Sequence, residues 1–85
     1  MRIQITAEDI ARGQRYSGWN CPLAHAFSRT YSSRSAFVGI VVCLEDNISI
    51  LLTREAMLWR AKFDRGEHVE PIELTFSPEL VYRRK

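Results

Sequence analysis

The sequence predicts one small α+β domain, ordered β-α-α-β-β-α-β, with a three- to four-stranded, mostly antiparallel sheet and helices packed on one face. Three observations predict it. Apolar residues alternate near both ends of the chain, at Ile3 and Ile5 and at Ile72, Leu74 and Phe76. Two stretches, 22–31 and 54–65, place apolar residues at the helical period of about 3.6. Between them lies a β-branched, apolar run over 36–52, broken only by Glu45-Asp46-Asn47.

The elements follow in order. Residues 2–6 alternate as a half-buried strand. Thr6 with Asp9 three residues on forms a capping box with a shortened acid, opening a short helix through Ala11 that Gly13 ends. Residues 14–20 read as a loop. Asn20 or Cys21 caps a second helix with Pro22 in its first turn, where a missing N–H costs nothing. On that helix Leu23, Ala26, Phe27, Thr30 and Tyr31 share a face, while His25, Ser28 and Arg29 share the opposite one. After a polar connector at 32–35, residues 36–44 are apolar on both faces and are expected to form one central strand. A three-residue turn at 45–47 then puts Val38, Ile40, Val42 and Leu44 on one face with Ile48, Ile50 and Leu52. Thr53 caps a third helix, 54–65, ended by Gly66, with Ala56, Trp59 and Phe63 as its inward stripe. A last strand covers 72–76, and a basic tail runs from about 77 to Arg83-Arg84-Lys85.

Composition narrows the class. The chain has 85 residues, 46% of them hydrophobic and 26% charged, which suits one modest globular core rather than a disordered chain. A chain this short buries only roughly 60–65% of its unfolded surface, so a partner or a second copy would stabilise it; monomer and homodimer both stay open. A net charge of +2 argues against an acidic mimic of nucleic acid and falls short of a strongly basic nucleic-acid binder, while a pI of about 8.8 leaves nucleic-acid binding open. Two cysteines, Cys21 and Cys43, are too few for a disulfide framework and read as free thiols of a reducing compartment. With no apolar run near about 18 residues and no apolar leader, the expected place is the cytoplasm, with no membrane partner.

No catalytic constellation is complete. Cys21 and His25 lie one helical turn apart, and a thiol at a helix N-terminus gains acidity, but no third group is placed to orient the base. Cys21, His25, Cys43 and His68 would have to converge from separate segments to hold a metal, without any CxxC or HxxxH pair to nucleate the site. Neither a catalytic residue, nor a metal ligand, nor a cofactor is therefore assigned. Two other features remain. Met57-Leu58-Trp59 places three large apolar residues in succession on a helix, where they cannot all face one core, and Met and Trp are frequent in interface centres. These three are the expected partner anchors unless the C-terminal residues Leu80, Val81 and Tyr82 cover them. Arg12, Arg15, Arg29 and Arg34 interleave with Tyr16 and Trp19, a pattern that can hold phosphates and stack on bases.

Three stretches belong together: Ile3-x-Ile5-x-x-x-Asp9-Ile10-x-x-Gly13, Cys21-Pro22-Leu23-Ala24-x-Ala26, and Phe63-Asp64-x-Gly66-x-x-Val69-Glu70-Pro71. In this combination the chain, up to Phe76, resembles a group of small uncharacterised proteins encoded by bacteriophages and prophages. The resemblance implies a phage or mobile-element origin. Small phage proteins without enzymatic signatures often bind and block a host protein, including components of CRISPR and other immune systems. The expectation is thus a non-enzymatic binding protein that occludes a host defence complex in the host cytoplasm, in the manner of an anti-CRISPR protein. The alternative is a small nucleic-acid-binding or accessory regulatory protein using the arginine and aromatic residues.

Overall fold

Alternating apolar residues build β1 (Arg2–Ile5), whose Ile3 and Ile5 are buried and whose Arg2 and Gln4 face water. The chain is described by a computed structural model covering residues 2–32, 35–45 and 47–83. Thr6 caps α1 (Ala7–Arg12): its Oγ1 accepts from the Asp9 N–H at 3.1 Å, and the Asp9 carboxylate accepts from the Thr6 N–H at 2.9 Å. Gly13 then packs against the Pro22 ring, where an added Cβ would lie 2.5 Å from Cδ and Cγ. That close approach is what requires glycine there, since Gly13 has ordinary extended dihedrals.

Pro22 opens α2 (Pro22–Thr30), with Cys21 as N-cap. Its buried Leu23, Ala26 and Phe27 follow the predicted stripe. The run expected as one strand, 36–44, is instead a hairpin of β2 (Ala36–Val38) and β3 (Val41–Leu44). The reversal centres on Ile40 and is closed by the Gly39 N–H donating to the Val41 carbonyl at 3.1 Å. Because both arms are apolar, no change of period marks the reversal in the sequence. Val38, Val42 and Leu44 keep the expected inward face, while Ile40 sits at the tip and is exposed.

The next turn holds the predicted register. β3 pairs antiparallel with β4 (Ile48–Leu51), with Val42 opposite Ile50. α3 (Arg54–Asp64) is capped by the Thr53 hydroxyl and buries Ala56, Trp59 and Phe63, as its spacing predicts. Gly66, at φ +81°, ends it: its N–H donates to the Phe63 carbonyl and the Glu67 N–H to the Lys62 carbonyl, both at 3.0 Å.

β5 (Ile72–Thr75) pairs antiparallel with β1. The expected tail holds a 3-10 turn, Pro78–Leu80, and then β6 (Val81–Arg83), which pairs with β4. The result is α+β, with, among the described residues, one two-stranded sheet, β1-β5, and one four-stranded sheet, β2-β3-β4-β6, both antiparallel. α2 packs against β1 and against β2 and so bridges the sheets. One core of Ile3, Ile5, Leu23, Phe27, Val42, Ile50, Trp59, Leu74, Phe76 and their neighbours lies between sheets and helices. Phe27 meets Phe76 edge-on there, with ring centroids 5.4 Å apart. No helix among the described residues is long and apolar enough to cross a membrane.

Candidate interaction surface

The hairpin tip places large apolar side chains in water beside two other segments. Ile40 is 77% exposed and Met57, on the adjoining face of α3, is 41% exposed. The two line one depression together with Gly39, Arg60, Ala61 and Asp64. Arg60, which lines it, is tied down. Arg60 Nη1 donates to the Gly39 carbonyl at 3.3 Å, and Arg60 Nε lies 3.8 Å from Asp64 Oδ2 without a hydrogen bond of its own.

The 14–20 loop closes against this surface. Tyr16, at φ 58°, donates its N–H to Asp64 Oδ1 at 2.9 Å, and the Gly18 carbonyl accepts from the Val38 N–H at 2.8 Å. The loop is thus held at one end by α3 and at the other by β2. This leaves Tyr16 75% and Trp19 59% exposed. Trp19 meets Phe37 edge-on, with ring centroids 5.0 Å apart. Three segments distant in sequence therefore meet here: Ile40 and Met57 line one depression with Arg60 and Asp64, the Tyr16 backbone is bonded to Asp64, and Trp19 packs on Phe37. Isolated exposed apolar residues are ordinary, so it is their clustering that makes this surface a candidate.

The expected anchors separate. Met57 belongs to this surface. Leu58 is exposed one position on, in a different depression with Arg54, Lys62 and Ile72. Trp59 is buried: its Nε1–H donates to the Glu70 carbonyl at 3.0 Å, and its ring lies parallel to Phe63 with centroids 6.1 Å apart. Helix geometry forces this split, since successive residues turn by about 100°.

The basic residues separate too. Arg12 pairs with Glu8 at 2.9 Å. Arg29 clamps Asp9 through two bonds of 2.7 and 2.9 Å and also donates to the Gln4 carbonyl at 2.8 Å. Both arginines are engaged with carboxylates on α1, whereas Arg15 lies over Gly66. Arg15, Tyr16 and Trp19 share the 14–20 loop, and Arg34 falls outside the described residues. Cys21 is fully buried and makes no cap hydrogen bond, and burial pushes its thiol above the ordinary pKa, which opposes thiolate formation. Among the described residues, no group of three or more His, Cys, Asp or Glu side chains is placed to hold a metal.

Sequence reasoning singled out Tyr16, Trp19 and Met57 but placed Ile40 in the core and passed over Phe37. The Gly39-Ile40 step in an otherwise apolar run was the one available signal for the exposed tip. No known protein family, curated protein or solved structure matches the chain, so the reading of this surface rests on its geometry.

Proposed function

We propose that this chain is a non-enzymatic binding protein that acts by covering part of a protein partner. The partner class implied by the phage resemblance is a host defence complex, with CRISPR effector machinery as its most concrete form. The observation that supports the reading is the meeting of the 14–20 loop, the hairpin tip and α3, braced by the Tyr16–Asp64 bond, which leaves Tyr16, Trp19, Ile40 and Met57 exposed. Aromatic and Met side chains are the usual anchors of an interface centre, and the Arg60–Asp64 pair beneath them supplies polar orientation. Mechanistically this is steric occlusion: the protein contributes shape and apolar contact, with no bond made or broken.

The test is affinity capture of the tagged protein from nuclease-treated host lysate at moderate salt, run beside Ile40→Asp and Met57→Asp variants. Ile40 and Met57 are exposed, so both variants keep the fold, which circular dichroism checks. The reading expects one defence-complex subunit recovered stoichiometrically by the wild type and lost by at least about 100-fold in affinity with Ile40→Asp, as for a central anchor. Recovery of nucleic acid alone from untreated lysate, abolished by nuclease and steeply weakened by salt, would instead assign function to Arg15, Tyr16 and Trp19.

A further inference from the structure

A separate cleft, of about 800 Å³, lies where three segments meet: the end of α1, the start of the 14–20 loop, and the last turn of α3 with the residues after it. Ile10, Phe63 and Val69 supply its apolar lining. Arg15, Glu67 and His68 supply its titratable lining. Two of these three are already engaged, Glu67 by Arg65 and His68 by Glu70. Among the described residues the Arg15 guanidinium has neither a salt bridge nor a hydrogen bond. Its surroundings nevertheless place it. The Gln14 N–H donates to the Asn20 carbonyl at 2.8 Å, and the Tyr16 N–H donates to Asp64 Oδ1 at 2.9 Å, so the backbone is pinned on both sides of Arg15. The guanidinium lies against Gly66, where an added Cβ would sit 2.5 Å from Nη1.

We propose that this cleft binds a small organic acid, with its single carboxylate on Arg15 and a compact apolar body against Ile10, Phe63 and Val69. Charge selects the ligand. The uncompensated charge of the lining is one guanidinium, so a monoanion balances it. A guanidinium also presents paired N–H donors that match a carboxylate in two parallel hydrogen bonds. A phosphate monoester, at about −1.5 to −2 near neutral pH, would bring more charge than Arg15 offsets, and Glu67 on the same lining would repel the excess. Nucleic acid, charged at every phosphate, would meet the same shortage of cations. The apolar lining selects the body, because a polar group placed there would give up water without gaining a partner. The volume falls within the ~300–1,000 Å³ usual for ligand clefts. None of these residues lines the depression beside Ile40 and Met57, so the proposal does not depend on the partner-binding reading.

Titration of the isotope-labelled full chain at neutral pH, followed by NMR amide shifts, tests it. The probes are 4-phenylbutyrate and indole-3-acetate, two monoanions of different apolar shape, with 4-phenylbutyramide as the uncharged control. At least one acid is expected to bind with a dissociation constant of about 1 mM or below, shifting amides of 10–15 and 63–69. 4-Phenylbutyramide is expected to bind at least ~10-fold more weakly than 4-phenylbutyrate. Arg15→Gln, at an exposed position, is expected to weaken acid binding at least ~10-fold and to leave binding of the uncharged control unchanged, a selectivity that loss of structure would not produce. No saturable shift from either acid up to about 10 mM overturns the proposal. So does equal binding of 4-phenylbutyrate and its amide, an Arg15→Gln variant that binds the acids like the wild type, or shifts centred outside those two segments.

Discussion

Asp9 ties three segments together. Its carboxylate closes the cap of α1 through Thr6 and receives both bonds of Arg29 from α2, and Arg29 in turn reaches the Gln4 carbonyl at the end of β1. Burial alone would push this carboxyl up, but the hydrogen bonds from Arg29 and Thr6 outweigh it and hold the pKa below the ordinary value. A carboxyl depressed in the folded state contributes stability that is present above its unfolded pKa of about 3.9. That stability is lost as pH falls through the lower folded value. Asp9→Ala should therefore cost about 2 kcal/mol in urea denaturation at neutral pH, a figure kept modest because the Arg29 side chain is half exposed. Asp9→Asn should flatten the acid limb of the stability profile below about pH 4. An Asp9→Ala protein as stable as the wild type would remove this clamp from the account. The Thr6–Asp9 half of the arrangement was legible in the sequence, because capping is local. The Arg29 half was not, since the partners lie twenty residues apart and only packing of α1 on α2 brings them together.

Helices were the most legible elements, and their ends the clearest part of them. Thr53 and Gly66 bracket α3, and its stripe of Ala56, Trp59 and Phe63 is buried as the period requires. Gly66 holds φ +81°, a conformation that costs a side-chain-bearing residue roughly 1–2 kcal/mol. An added Cβ would meet only the Arg15 guanidinium tip, which can move aside. Gly66→Ala should thus destabilise by about 1 kcal/mol, read as a lower urea midpoint with an unchanged slope. No change in midpoint would mean that the helix ends differently. Strands were less legible for a physical reason. The 36–44 run is apolar on both faces, so neither alternation nor polarity separates β2 from β3. β6 was hidden differently: its three residues include Tyr82 and Arg83, and pairing with β4 places them in a strand that their own pattern does not specify.

At the scale of the whole molecule, the fold class could be read from the chain, but its exposed surface could not. Whether an apolar residue is core or contact depends on which segments meet above it. Trp59 and Met57, two positions apart, end on opposite sides of that distinction. Ile40 passes from expected core to exposed tip because the chain reverses at Gly39. The functional account therefore rests on the tertiary convergence of the 14–20 loop, the hairpin tip and α3. Hydrogen-exchange mass spectrometry of the captured complex against the free protein tests that convergence most directly. The account predicts added protection confined to amides of 14–20, 37–41 and 57–61, with the β1-β5 sheet unchanged. Protection centred on β1 and β5, with those three segments unaltered, would contradict it.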